Sequence, residues 1–309
     1  GANSAAAHRN ELSREGAAVE TLSSPLAADL DTPGDLKAAM ERERTAATPV
    51  RTEGLLALPI DGLGEIQPGD DLPEMIASCV ATIAATSAIG GLRSDDVIAV
   101  TQKIVSKAEG AIVELTTITP RPEAVEYANK WGRDARQVEV VLQEAIRVVR
   151  MDRGVIITET AHGFVLANSG VDASNVGPRS GEVVTLLPRD PDGSARAIRE
   201  AIRLRTGVAP GVIITDSFGR PWRLGITDVA IGVAGIAALE DLRGKPDADG
   251  RTMAATVRAV ADQIAATAEL ALGKTARRPL ALIRGAHPQV AEDGSARSSL
   301  MPPDWDLFR

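Results

Sequence analysis

A mixed α/β fold, α/β with α+β character, is predicted by two features of this 309-residue chain. Short β-branched runs and longer amphipathic stretches alternate from residue 54 onward, and nothing recurs at a fixed period. At 44% hydrophobic residues the chain can also bury a substantial core. Its 42 acidic and 34 basic residues leave a net charge of -8, which argues against adhesion to nucleic acid or an anionic membrane. Aromatic residues make up only 2%, too few to build stacking surfaces for single-stranded nucleic acid. With one cysteine, Cys79, neither an intramolecular disulfide nor a Cys-based zinc cluster can form. The three histidines, His8, His162 and His287, are scattered, so any metal falls to carboxylates. The sequence has no run of about eighteen apolar residues and no secretory leader pattern, from which a soluble cytoplasmic protein is expected.

Taken in order, residues 1–53 are poor in large apolar groups and read as an appended arm, with a short helix over Asp35–Thr45. Residues 54–309 are expected to form the main domain, of two lobes sharing one site. Leu55–Ile60 reads as a strand, and the Gly-, Pro- and Asp-rich loop after it leads to an amphipathic helix over Leu72–Ala88. Asp96–Val105 reads as a strand that leaves Ser106 and Lys107 at its end. Lys107 there is either a phosphate ligand or a solvated surface lysine. Thr119–Met151 reads as one long helix, Gly154–Thr160 as a strand, and Phe164–Asn168 as its hairpin partner. Glu182–Leu187 is a strand, Leu187–Ser194 a polar divider between lobes, and Ala195–Thr206 a helix with an arginine-rich solvated face. Met253–Leu272 reads as an Ala-rich helix with Val257, Val260, Ile264 and Leu270 toward the core. Asp262 and Glu269 on it face a site or, alternatively, water. Pro279–Gly285 is a strand, and the tail is expected to dock Trp305 and Phe308 on the body.

The chemistry gathers in two stretches. Val212–Thr215 reads as a buried strand that delivers Asp216 and Ser217 at its tip, followed by a tight basic loop with Gly219, Arg220, Trp222, Arg223 and Gly225, and then Asp228. Carboxylate, hydroxyl and guanidinium in that order suit a metal with phosphate, since hard cations take oxygen ligands and Arg grips phosphate bidentately. A polar loop between two core strands accounts for it equally well. Ser169–Gly177 offers Asp172, Ser174 and Asn175, and also reads as an Asx-rich turn. Gly273-Lys274-Thr275 suggests a phosphate loop. That pattern needs a Gly where Ala268 stands and a strand before it, so it is rejected, and no dinucleotide fingerprint is present.

The pieces VTQKIVSKAEG, ANSGVDASNVG, VIITDSFGRPWRLGITDVAIGVAG and ALGKTARRPLALIRG occur in the order found in the coenzyme F420:L-glutamate ligase family, also called F420-0:gamma-glutamyl ligase. The chain resembles that family over residues 54–290. The resemblance implies a two-lobed α/β fold in an intertwined homodimer. It implies GTP as co-substrate and Mn or Mg as cofactor, with L-glutamate joined to the deazaflavin precursor F420-0, and further γ-linked glutamates as an extension. Leu63, Gly64, Glu65, Ile66, Gln102, Lys107 and Asn175 match its GTP-contacting positions, although Gly64 replaces a frequent proline. Asp172, Asp216 and Ser217 match its metal ligands, with serine where threonine is commoner. Part of Leu272–Pro279 also aligns with nucleotide-binding residues. Asp216 and Lys107 are the expected catalytic residues, and Arg220 and Arg223 are further candidates for phosphate oxygens. Rival readings are a family ligase for a different acid or amine, a metal-dependent nucleotide phosphohydrolase, and a nucleotide-binding regulator.

Overall fold

The structure, a computed structural model, describes residues 54–86, 89–174, 179 and 181–307. The expected N-terminal arm, Asn175 and Phe308 lie outside these residues. The described elements are β1 (Leu56–Pro59), α1 (Leu72–Ala84), β2 (Val97–Thr101), α2 (Gln102–Ala108), β3 (Ile112–Glu114), α3 (Pro122–Trp131), α4 (Ala135–Glu144), β4 (Ala145–Asp152), β5 (Val155–Thr160), β6 (Val165–Ala167), β7 (Val183–Thr185), α5 (Pro191–Thr206), β8 (Gly211–Arg220), β9 (Arg223–Ile236), β10 (Glu240–Asp241), β11 (Val257–Arg258), α6 (Val260–Leu272), β12 (Leu280–Arg284) and β13 (Val290–Ala291). This is the mixed α/β composition expected from the sequence.

Six strands form the central sheet in the order β1-β12-β2-β8-β9-β13. All its neighbours are antiparallel except β2 and β8, which run parallel with Val97 opposite Gly211 and Thr101 opposite Thr215. The sheet is covered on both faces because its central strands are apolar throughout. Ile98, Val100, Val212, Ile214, Leu280 and Leu282 point into one core with Ile76, Val80, Ile198 and Ile202 of α1 and α5. The alternate residues Val97, Ala99, Ile213, Ala281 and Ile283 point into a second core against Val260, Ile264, Ala265 and Ala268 of α6. The period of two along each strand sorts the residues between the two cores.

Smaller sheets extend the body. β4, β5 and β6 form an antiparallel meander beside α3 and α4, and β3 pairs with β7. One buried ion pair ties the main sheet to the loop before β2. Arg284, 3% exposed, sends its guanidinium to both oxygens of fully buried Asp96 at 2.7 Å, and to the carbonyls of Ile89 and Gly91.

Several boundaries differ from the sequence expectation. The strand at Asp96–Val105 stops at Thr101, and the chain turns directly into α2. Ile104, Val105 and Ala108 then pack at helical spacing against the first core. The long helix expected over Thr119–Met151 is two helices and a strand. Gly132, in the left-handed conformation (φ 63°), ends α3, and Asp134 caps α4 by accepting from the Arg136 N–H at 2.8 Å. Ile146, assigned to a helix face, lies exposed on β4.

Leu187–Ser194 does not divide lobes. Pro191 begins α5, and buried Asp192 accepts hydrogen bonds from the N–H groups of Val233 and Ala296, at 2.8 and 2.9 Å. The helix passes so close that a Cβ on Gly232 would lie 2.4 Å from the Pro191 carbonyl. Finally, α6 begins at Val260, leaving Val257 on a short exposed strand. Leu270 is 87% exposed because the core-facing stripe runs through Val260, Ile264, Ala268 and Leu272 instead.

Candidate active site at the end of the parallel strand pair

The predicted tip of Val212–Thr215 is the middle of a long hairpin. β8 continues to Arg220 and β9 returns from Arg223, so only Pro221 and Trp222 form the turn. Ile214 pairs with Gly232, whereas the next residue, Thr215, pairs with Ala230, leaving Ile231 as an extra residue in β9. This bulge resets the register and places Ser217 opposite Asp228. β13 meets β9 only at Gly235 and Ile236. Further along, α6 supplies the acceptors: Glu269 takes the Asp228 N–H at 2.9 Å and Asp262 takes the Ala230 N–H at 3.0 Å. Both carboxylates face β9, so neither points to water. Burial raises the Asp262 carboxyl above its ordinary range, against the Ala230 hydrogen bond.

Asp216 and Ser217 therefore stand at the C-terminal end of β8, beside the C-terminal end of its parallel neighbour β2, where open α/β sheets commonly bind ligands. Directly after β2, α2 carries Lys103 and Lys107 one turn apart. Lys107 is nearly buried and pairs with Glu65 at 2.6 Å, so it is not a solvated surface lysine. Buried Gln102 accepts from the Ser106 hydroxyl at 2.7 Å. Leu63 and Ile66 anchor the loop after β1 on the first core, which holds Gly64 and Glu65 out toward solvent above Lys107.

Asp172 arrives from the other side. Ser169, left-handed at φ 53° and buried, hydrogen-bonds to Thr158 and to the Val141 carbonyl at 2.8 Å. Gly170, at φ 71° and pressed against Leu187, completes the turn. Asp172 then exchanges backbone hydrogen bonds with Thr185, at 3.0 and 2.9 Å. Its side chain accepts from the Ser174 N–H at 2.6 Å, the Asx turn legible in the sequence, and from Lys103 Nζ at 2.5 Å. Lys103 also donates to the Ser174 carbonyl at 2.6 Å.

The electrostatics join the two halves. Burial, reinforced by the charges of Asp172 and Asp228, pushes the Asp216 carboxyl up to about 7, against the hydrogen bond from the Ser217 N–H and the charge of Lys103. Asp172 behaves oppositely. Burial opposes its ionisation, yet the Lys103 hydrogen bond and charge hold it below the ordinary carboxylate range. Ser217 donates to Asp228 at 2.7 Å, and Lys274 Nζ reaches Ser217 Oγ, Asp228 and Glu269 at 2.5, 2.9 and 2.6 Å. Burial opposes the charge of Lys274, but its carboxylate partners raise the group above its ordinary value.

Among the described residues no three His, Cys, Asp or Glu side chains are placed to hold a metal ion together. The donor set on offer is two carboxylates and a hydroxyl, all hard oxygens. Such a set fits Mg or Mn, which are commonly held by one or two carboxylates with phosphate oxygens and water completing the sphere. Asp216, crowded by like charges, is a carboxylate that a divalent cation would relieve.

Arg220 and Arg223 do not join this group. They flank the exposed hairpin tip, and Arg220 folds back onto the Leu224 carbonyl at 3.1 Å. Three residues of strand separate Arg220 from Ser217, about 10 Å. The structure adds Lys103, Asp228, Glu269 and Lys274. The first was recoverable from its spacing of four from Lys107, had α2 been read as a helix. Lys274 belongs to the rejected phosphate-loop match, and a helix does precede it.

The sequence profile of F420-0:gamma-glutamyl ligases matches residues 62–285. A coenzyme F420:L-glutamate ligase of Methanopyrus kandleri is 43% identical over 249 residues, covering 79% of this chain and 94% of the relative. One from Methanothermobacter thermautotrophicus is 40% identical over 261 residues, covering 83% and 99%. One from Methanocaldococcus jannaschii is 42% identical over 219 residues, covering 71% and 86%. A two-faced α/β body with this split polar site is thus an enzyme of the class that forms amide bonds, a ligase. The chain belongs to the F420-0:gamma-glutamyl ligase family.

Proposed function

We propose that the chain joins L-glutamate to F420-0 at the expense of GTP, with Mg or Mn as cofactor. The observation that carries this reading is the meeting of Asp172, Asp216 and Ser217 from two distant segments, with Lys103 and Lys107 on the adjoining helix. Two carboxylates and two lysines suit a polyphosphate and a cation better than they suit acid–base catalysis, for which the site offers no histidine among these residues.

Chemically, a free carboxylate is a poor electrophile. Transfer of the γ-phosphoryl group from GTP to a carboxylate oxygen of F420-0 breaks the bond to the β-phosphate oxygen and yields an acyl phosphate and GDP. The glutamate amine then attacks the acyl carbon. The C–N bond forms, the phosphate leaves with the C–O bonding electrons, and the amine loses a proton to give the amide. Lys107, released from Glu65, is suited to a phosphate oxygen, and Lys103 to the charge that builds on the transferring group. Asp172, Asp216 and Ser217 would hold the divalent ion, which when bound supplies charge neutralisation during phosphoryl transfer. Leu63, Gly64, Glu65, Ile66, Gln102 and Asn175 would line the nucleotide, and further γ-linked glutamates would extend the same reaction.

We also infer a homodimer. The hairpin tip exposes Trp222 by 82%, Leu224 by 99% and Ile226 by 56%, and such a run of apolar residues on a projecting hairpin suits burial against a second copy. Light scattering on the purified chain tests this, and a monomer at working concentration overturns it.

The deciding experiment for the reaction is incubation with F420-0, glutamate, GTP and Mn or Mg, followed by mass spectrometry. A glutamyl amide product with stoichiometric GDP is expected. Phosphate release without amide would point to a phosphohydrolase, and amide only with another acid or amine would point to a different ligase substrate.

A further inference from the structure

Lys274 sits one residue past the end of α6, after Gly273, whose φ of 64° turns the chain out of the helix. Its side chain is half exposed, so the oxygens around it, more than burial, hold its ammonium in place. Those oxygens are Ser217 Oγ at 2.5 Å, Glu269 Oε1 at 2.6 Å and Asp228 Oδ1 at 2.9 Å. Ser217 gives its proton to Asp228, so the contact with Lys274 uses an Oγ lone pair. Asp228, nearly buried, also accepts from the Thr215 hydroxyl at 3.2 Å, and its own N–H is held by Glu269. Every member of this cluster is fixed by another, and at its centre one positive charge is surrounded by three oxygens.

That arrangement resembles the seat of a cation, with an ammonium as the cation. Catalytic sites for phosphoryl transfer commonly use two metal ions, one on each side of the reacting group. Here the Asp172–Asp216 side is left to carboxylates, while the Ser217–Asp228–Glu269 side already holds a tethered charge. Around Asp216 there are four carboxylates, Asp172, Asp216, Asp228 and Glu269, and two ammonium groups, Lys103 and Lys274. The imbalance, with every carboxylate ionised, is two negative charges, which a single divalent ion cancels.

Resting on the reading of Asp172, Asp216 and Ser217 as metal ligands, we propose that Lys274 supplies the positive charge a second metal ion would otherwise carry, so that each chain loads one divalent ion. Lys274 is then a positioning residue. It fixes the Ser217 hydroxyl through its lone pair and presents a permanent charge to whatever anion enters. A second ion cannot settle on Asp228 and Glu269 without displacing it.

The test is a Mn(II) titration of the full chain without nucleotide, with free Mn(II) followed by electron paramagnetic resonance. Wild type should saturate at about one ion per chain, and Asp216→Asn should lose it. Lys274→Glu replaces the ammonium with a third carboxylate beside Asp228 and Glu269, and should saturate at about two. A wild type that takes two ions overturns the proposal, as does a folded Lys274→Glu that still takes one. In both cases the reading of Asp172 and Asp216 stands. If Lys274→Glu does not fold, the wild-type stoichiometry decides alone. A wild type that binds no Mn(II), or an Asp216→Asn that binds as wild type does, fails the underlying metal assignment and the proposal with it.

Discussion

Replacing Asp216 with Asn should stabilise the metal-free protein, by an amount that grows with pH. Burial, with the charges of Asp172 and Asp228 beside it, moves this carboxyl from 3.8 to about 7. Because its folded-state value lies above the unfolded one, the native state binds the proton more tightly. Stability is therefore lost as pH rises from 3.8 through about 7. At about 1.36 kcal/mol per pH unit, the full penalty is roughly 4 kcal/mol above pH 7, of which roughly 1.6 kcal/mol is present at pH 5. Asn keeps the shape and an acceptor for the Ser217 N–H but carries no charge. Urea unfolding of chelator-treated wild type and Asp216→Asn at pH 5 and pH 8 reads the difference directly. The variant's advantage should widen by about 2–3 kcal/mol across that interval. An advantage that does not change with pH, or a variant less stable than wild type at pH 8, refutes the account of a carboxylate charged against its neighbours. Added Mn or Mg should narrow the gap at pH 8 by stabilising wild type more than the variant.

Three further outcomes follow from the geometry. Lys107→Ala should weaken GTP binding roughly tenfold or more, the worth of one hydrogen bond to a charged group, and calorimetry showing unchanged affinity would remove its phosphate role. Arg284→Met leaves Asp96 buried without its guanidinium and should cost roughly 3–5 kcal/mol in chemical denaturation, with part recovered when Asp96→Asn is added. The Arg121 side chain and N–H hold Glu139 at about 2, below its ordinary 4.5. Its contribution is complete above pH 4.5 and fades as pH falls toward 2, so Glu139→Gln should flatten the acid limb of a thermal-melt profile over that range.

What the sequence discloses of the fold is set by how local the signal is. Leu72–Ala84, Val155–Thr160, Val183–Thr185 and Leu280–Arg284 carry their period or their apolar run within themselves, and all appear where expected. The failures sit at junctions. VIAVTQKIV is apolar and β-branched at both ends, so a window cannot see that Gln102 begins a helix whose buried face includes Gln102, Ser106 and Lys107. The break at Gly132 is a glycine that a long helical pattern tolerates on paper. The left-handed φ of 63°, followed by the Asp134 cap, makes it a true end.

The site was half legible for a related reason. Asp172, Asp216 and Ser217 stand out because polar groups at strand ends are visible in one dimension, and so is the Asx turn at Asp172. Their partners are not. Lys103 crosses 69 residues to Asp172, and Lys274 crosses 57 to Ser217. Glu269 and Asp262 meet β9 only because an extra residue at Ile231 shifts its register, and no spacing along the chain encodes that bulge. Reading ligands alone suggests an acidic pocket waiting for metal. Counting the lysines that tertiary structure brings to the same carboxylates changes the charge the pocket can accept, and so turns a list of ligands into a prediction of how many ions it holds.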